Sequence, residues 1–189
     1  MIPKNILGVT TREAFREWLA GHHAAEAECW VAVRRGKIPP SGTLWYLDAV
    51  EEALCFGWID STVKNLGGVT LQRFSRRSKN SNWTELNKER CRRLDAMGLM
   101  TDSGRMACPD LLAEFVIDAD ILAAFKANTL AWDNFNSFHP LYRRVRIDTI
   151  QRNKANDKIF ASRLHKLIKA SEHGEMIGEW NDNGRLLQY

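Results

Sequence analysis

The sequence predicts an α+β protein, mainly helical, with a small antiparallel sheet in its N-terminal part and a helical C-terminal part. Three observations carry that prediction. Strand-like apolar runs, "CWVAVRRGK" at 29–37 and the two flanks of "NLGG" at 65–68, all fall in the N-terminal part. Helical apolar spacing with recognisable caps dominates from Thr84 onward. At 189 residues, 44% hydrophobic and 26% charged, the chain has the length and balance of a folded protein with a substantial core. The expected division is an α+β core over 1–108 and a helical C-terminal subdomain, 109–189, packed on it.

Each element has its own signal. Thr11 is placed to cap a helix over 12–25, with Ala14, Phe15, Trp18 and Leu19 spaced for a buried stripe. The Val- and Trp-rich run at 29–37 ends in Gly and Lys, as a strand would, and "PPSG" then breaks the chain. A second helix over 44–56 sets Leu47, Val50, Ala53 and Leu54 on one face, with Gly57 where a left-handed residue ends it. Residues 58–64 and 69–74 read as a hairpin around "NLGG". A turn centred between Leu66 and Gly67 puts Asp60 opposite Arg73 and Ile59 opposite Phe74.

Thr84 caps "ELNKERCRRLDAM", which Gly98 closes. "MTDSGRMACPD" breaks the pattern. Helices follow from Asp118, near Leu130, after Pro140 (a first-turn proline) and from Asp157 to Ala170. The tail "GEMIGEWNDNGRLLQY" has no clear period.

Several classes are excluded by absence of signal. No apolar run approaches the ~20 residues of a membrane span, so no membrane insertion is expected. The start "MIPKNILGVTTREAF" lacks the apolar core of a secretory signal, so the expected location is cytoplasmic. Cysteines 29, 55, 91 and 108 are far apart in sequence, and none sits at zinc spacing with a histidine. Reduced, mostly buried thiols, no metal and no cofactor are expected.

The net charge of +4 conceals two basic blocks. Residues 73–93 hold eight Lys/Arg against two Glu, and residues 141–169 hold nine against two Asp. The rest of the chain is therefore acidic. Such blocks are either the solvated faces of basic helices or a surface for phosphates or nucleic acid.

The candidate site starts from Asp60 in "EEALCFGWIDS". Its carboxylate follows closely on a helix C-terminus, whose partial negative charge disfavours it by up to ~1 kcal/mol. A cationic partner is therefore expected, with Arg73 opposite and Arg76 and Arg77 next along the chain. Two readings compete: a cross-strand ion pair that only braces the hairpin, or the floor of a pocket. The segment "RFSRRSKNSNWTELN" adds a hydroxyl at Ser81, an indole N–H at Trp83 and an amide at Asn87, the last on a stripe that continues through Cys91 and Leu94. Against the pocket stands the ordinary reading, in which Ser81 and Asn87 brace a loop and Trp83 is core.

These segments resemble the YdeI/OmpD-associated, or bacteriocin-protection, family. The resemblance rests on Tyr46, "ALCFGWIDS" at 53–61, "RFSRR" at 73–77, "SNWTELN" at 81–87 and "GLM" at 98–100. It is strong over 44–104, fair over 12–36 and loose in the helical C-terminus. Arg76 stands where the family has proline, and Leu99 where it has arginine. The resemblance implies a role in bacteriocin protection or stress, with no reaction or cofactor attached. It favours a shared polar pocket of Trp58, Asp60, Arg73, Arg77, Ser81, Trp83 and Asn87.

The expected function is non-catalytic binding of an anionic or polar small molecule, or of a protein partner through the C-terminal helices. In the pocket, Asp60 would accept hydrogen bonds or orient Arg73, Arg77 would meet an anionic group, and Trp58 or Trp83 would supply a flat wall. The alternative is nucleic-acid binding through 73–93 and 141–169, where aromatic residues interleave with arginines. Catalysis ranks third. Cys55 sits on an apolar helix without a histidine nearby in sequence, and Glu51 and Glu52 read as solvent-facing.

Overall fold

The computed structural model describes residues 3–189. The elements run β1 (Ile6–Leu7), α1 (Arg12–His22), β2 (Glu28–Arg34), β3 (Leu44–Trp45), α2 (Tyr46–Cys55), β4 (Trp58–Leu66), β5 (Val69–Arg76), α3 (Glu85–Ala96), α4 (Asp102–Ala107), α5 (Ala119–Lys126), α6 (Thr129–Ser137), α7 (Pro140–Gln151) and α8 (Asp157–Glu172), with a 3₁₀ turn at Arg185–Leu187. The class is α+β, with the sheet confined to the N-terminal part and helices in the C-terminal part. Among the described residues no helix is long and apolar enough to cross a membrane. Two compact units form. One comprises Met1–Asn82, Arg90–Pro109 and Tyr189; the other comprises Trp83–Glu89 and Asp110–Gln188.

In the first unit the sheet order is β1-β2-β5-β4, with β3 paired to the end of β2. The sheet is mixed rather than antiparallel throughout. β2–β5 and β5–β4 are antiparallel, whereas β1 and β3 each add a two-residue parallel pair to β2. Two residues are too few for any alternation to show in the sequence. Phe15 and Leu19 of α1, Trp30 and Val31 of β2, Trp58 of β4 and Phe74 of β5 are all buried. The Phe15 and Phe74 rings meet at 5.3 Å. Thr11 caps α1 as its position predicts, its hydroxyl accepting from the Ala14 amide at 3.2 Å.

The hairpin turns one residue later than expected. Gly67 and Gly68 occupy the two turn positions with φ of 57° and 83°, and Gly68 donates its amide to Asn65 Oδ1. Leu66 then pairs with Val69 and Val63 with Gln72. A bulge between Asp60 and Val63 shifts the remaining register, so Asp60 faces Phe74 and Ile59 faces Ser75. The expected Asp60–Arg73 pairing is therefore corrected: the turn seats on the two glycines able to take positive φ, and the bulge inserts an extra residue opposite Arg73.

α4 fills the stretch that the sequence marks as a break. Its cap is Thr101, whose hydroxyl accepts from Gly104 and donates to the Cys55 carbonyl at 2.6 Å. The close approach depends on Gly104, because a Cβ there would lie 2.2 Å from the Cys55 carbonyl oxygen. Gly57, at φ +73°, ends α2 against the same helix: its added Cβ would lie 2.9 Å from both the Ala107 Cβ and the Ser103 oxygen.

In the second unit, Ile121, Phe125, Phe135, Tyr142, Ile147 and Leu167 anchor a core built from α5 to α8. Leu86, at the start of α3, packs on it. Thr84 caps α3, accepting from the Asn87 amide at 3.0 Å, and Asp148 of α7 accepts from the Glu85 amide at 3.2 Å. Pro140 opens α7 as expected.

Candidate functional site

The seven expected residues do not collect into one site within either unit. Trp58, Asp60, Arg73, Arg77 and Ser81 belong to the first unit, whereas Trp83 and Asn87 belong to the second. Trp58 is fully buried, its indole N–H donating to the His23 carbonyl at 3.2 Å and its ring edge-on to Trp18. Arg73 is clamped by Glu28, through Nε at 2.7 Å and through Nη2, and also reaches the Ser61 hydroxyl. The hydrogen bond from Arg73 holds the Glu28 carboxyl below the usual carboxylate range. Ser81 braces its own turn, with its amide on the Ser78 carbonyl and its hydroxyl on the Ser78 hydroxyl. Asn87 is buried on α3 and Trp83 half-buried just before it.

Asp60 finds its partner elsewhere. Tyr46, the first residue of α2, donates its hydroxyl to Asp60 Oδ2 at 2.7 Å. Burial, with the neighbouring Asp60 charge adding to it, pushes the Tyr46 phenol up to about 12. Above the ring lies the Arg35 guanidinium, 3.4 Å from the centroid, and Arg35 also donates to the buried Gln72. Tyr46, Asp60, Arg35 and Gln72 thus form a connected polar cluster. It satisfies the odd carboxylate of "GWIDS" from the helix side.

A second correction concerns α2. Glu51 and Glu52 are each only 1% exposed, not solvent-facing. Arg12 spans both, with Nε 2.6 Å from Glu52 and Nη1 2.8 Å from Glu51. Arg16 adds a bond to Glu52 at 2.7 Å, and Arg93 one to Glu51 at 2.9 Å. With Asp48 3.4 Å from Arg12, three carboxylates meet three arginines, a structural network in which every charge is locally compensated. Burial, then the Glu52 charge, push the thiol of Cys55 next to them up to about 12, which disfavours its thiolate.

One cleft of the first unit, about 300 Å³, lies beside the N-terminus of α1, among Thr11, Arg12, Pro40, Thr43, Trp45 and Asp48; none of these is an expected site residue. Two clefts lie among the described residues of the second unit. The larger, about 340 Å³, has Arg143 and Arg144 beside Glu114 and Phe115, but Arg144 already pairs with Glu85 and Glu89. The other, about 280 Å³, is lined by Arg146, Thr149, Ile150, Arg163, Lys166, Leu167 and Ile177. It has three cations, one hydroxyl, an aliphatic floor and no carboxylate.

The α7–α8 geometry builds this cleft. Arg146 and Thr149 lie one turn apart on α7, as do Arg163 and Lys166 on α8. Arg146 is tethered by the carbonyls of Ile177, at 2.8 Å, and Gly178. Arg163 donates to the Thr149 carbonyl at 2.8 Å. The Arg146 Nε is buried and makes no hydrogen bond. Desolvation pulls the Arg146 guanidinium below its usual value, opposed by Tyr142 and Glu179. An anion in this place would offset that desolvation. Neither Arg146 nor Arg163 stands out within the basic block by sequence alone. Their i, i+3 partners Thr149 and Lys166 are the one readable signal.

Comparison with known proteins adds a family to this geometry. No curated protein and no solved structure matches the chain. Residues 7–107 match the model of a domain of unknown function (DUF8412). Residues 114–174 match the model described as bacteriocin-protection, YdeI or OmpD-associated. The named match thus falls on the helical part, where the motif resemblance is loosest, and it takes in α5 to α8 with every residue lining the cleft except Ile177. The chain belongs to the DUF8412 family, and its helical part is similar to the bacteriocin-protection, YdeI or OmpD-associated family.

Proposed function

We propose that the protein is a non-catalytic binding protein for a small anionic molecule, acting in bacteriocin protection or stress, with its ligand seated between α7 and α8. The observation that carries this reading is the cleft of Arg146, Arg163 and Lys166 over Ile150, Leu167 and Ile177, which has no carboxylate in its lining. Its volume, about 280 Å³, sits at the small end of ligand pockets, typically ~300–1,000 Å³. Charge above an aliphatic floor suits a ligand with one anionic group and a short apolar part. The segment matched by the bacteriocin-protection model holds all three cations, which is the basis for placing the function there.

Nucleic-acid binding fits less well, because five cations of the two basic blocks are already paired with carboxylates. Arg73 is held by Glu28, Arg93 by Glu51, Lys88 by Glu85, Arg144 by Glu85 and Glu89, and Lys154 by Asp118 and Asp120. Paired cations release few counterions on meeting phosphates.

Calorimetric titration with a panel of phosphorylated and carboxylated metabolites tests the proposal. Binding is expected to weaken by ~10-fold or more in the doubly substituted R163A/K166A protein, with the helical circular-dichroism spectrum retained. Binding lost in Asp60→Asn but kept in R163A/K166A would move the site to the hairpin. No heat with any anion, or affinity that appears only for oligonucleotides and falls steeply with salt, would overturn it.

A further inference from the structure

The three cations between α7 and α8 retain donors that the protein itself does not engage. Arg146 commits Nη2 to the carbonyls of Ile177 and Gly178, while its Nε is buried without a hydrogen bond. Arg163 commits Nη1 to the Thr149 carbonyl at 2.8 Å, which leaves the rest of its fork for a ligand. Lys166 follows one turn later on α8 and is exposed. Thr149 Oγ1 donates to the Arg146 carbonyl at 2.8 Å, so its hydroxyl proton is already used. Every side-chain donor left in the lining is therefore cationic.

On the anion-site reading given above, on which this rests, we propose that the ligand is a phosphate monoester carrying a short aliphatic chain. Charge selects the head group. Three positive charges meet in about 280 Å³ with no carboxylate in the lining, and Glu179 in the tail offsets part of the charge on Arg146. A monocarboxylate brings one charge and two oxygens, too few for three cationic donors. A phosphate monoester brings about −1.5 to −2 at neutral pH and three terminal oxygens, which two guanidinium forks and an ammonium can share. A phosphate diester has lost one of those oxygens and one of the charges.

The floor selects the rest of the molecule. Ile150, Leu167 and Ile177 are aliphatic, and the lining contains no aromatic ring, so the cleft has no surface on which a nucleobase would stack. Once a phosphate is seated, the remaining volume suits a chain of a few carbons against that floor. Arg146 is the fixed part of the site, since the Ile177 and Gly178 carbonyls hold its guanidinium from behind. Lys166, exposed at the rim, supplies the charge that distinguishes a dianion from a monoanion.

The test titrates the full chain, at one ionic strength, with three probes of matched length: propyl phosphate, its methyl diester and butyrate. Propyl phosphate should bind ~10-fold or more tightly than either of the others. Lys166→Gln should narrow the preference for the monoester over the diester, and R163A/K166A should abolish it. Phosphatidylcholine vesicles containing phosphatidic acid present the same head group. Cosedimentation with them that is lost in R163A/K166A would assign a lipid, binding of propyl phosphate a soluble ligand, and either upholds the monoester. Butyrate or the diester bound as tightly as propyl phosphate, and lost in R163A/K166A, would overturn the phosphate assignment while leaving the anion site in place. A monoester preference unchanged in both variants would overturn it by placing the phosphate elsewhere. No binding of any probe, in solution or on vesicles, would also overturn it, and the metabolite panel above then decides separately on the anion site.

Discussion

Tyr46 donates its hydroxyl to Asp60 across 2.7 Å, joining the first residue of α2 to the strand that follows that helix. The carboxylate beyond the helix C-terminus is thus met by a neutral donor, while Arg73, the cation expected to face it, is engaged by Glu28. An ionised acceptor makes this a strong hydrogen bond, of roughly 1.5–3 kcal/mol.

Tyr46→Phe should therefore lower stability at neutral pH by about 1.5–3 kcal/mol, read from urea unfolding. The phenol also predicts an alkaline limit. Its folded value is raised, to about 12, so its contribution is complete below the unfolded value near ~10 and is lost as pH rises through the folded one. Ultraviolet titration should show one tyrosine ionising well above the others. Asp60→Asn should bring it part of the way down, because burial, the larger cause, remains.

The buried network on α2 makes a sharper prediction. Arg12→Ala would strip Glu51 and Glu52 of their shared guanidinium in a place where water cannot replace it. Removing one partner from a buried pair costs about 3–5 kcal/mol, against ~0–1 for a surface pair. Urea unfolding of Arg12→Ala should show a loss in the upper range. Arg105→Ala, which removes the exposed pairs with Asp95 and Asp102, serves as the control and should show almost none.

The contrast between these features marks what the sequence can convey. Helices with a periodic face and a cap were legible, as with Phe15 and Leu19 behind Thr11, or α3 behind Thr84. Gly57 and Gly98 end their helices at positive φ, as their positions suggest. β1 and β3 were not legible, because two residues carry no period. Glu51 and Glu52 were misread because their partners come from α1 and α3, far along the chain. Burial of a charge depends on such distant partners, and adjacent residues cannot reveal it. The cleft between α7 and α8 and the bulge that redirects Asp60 are tertiary in the same sense.

Gly104 tests how tightly α4 is held to α2. Its missing Cβ would fall 2.2 Å from the Cys55 carbonyl oxygen and 3.0 Å from that of Leu54, so no rotamer change relieves the overlap. Backbone would have to separate, breaking the bonds that Thr101 makes to the Cys55 carbonyl. Gly104→Ala should cost about 3 kcal/mol, at the top of the usual overpacking range, as a lowered denaturation midpoint. Gly21→Ala, with nothing within 4 Å of its Cβ in α1, should be neutral or slightly stabilising.

Asp148 separates charge from hydrogen bonding at the start of α3. Its Oδ2 accepts the Glu85 amide at 3.2 Å, and as an anion it also gains from the helix dipole. Burial nevertheless raises its pKa, outweighing the amide bond and the pull of Arg152, so desolvation is the larger effect. A carboxyl with a raised folded pKa favours the native state below its unfolded value, near ~3.9, and loses that advantage as pH rises through the folded one. At neutral pH the ionised group is therefore a net cost that an amide would avoid. Asp148→Asn keeps an acceptor for Glu85 and should equal or exceed the wild type in stability at pH 7, the gain fading as pH falls toward 4. Asp148→Ala leaves the amide unmet and should cost about 1 kcal/mol near pH 4, and less at pH 7, where the wild type itself carries the cost of the ionised group. Thermal melts of the three proteins at both pH values distinguish the contributions, and a loss in Asp148→Asn equal to that in Asp148→Ala would assign the role to the charge instead.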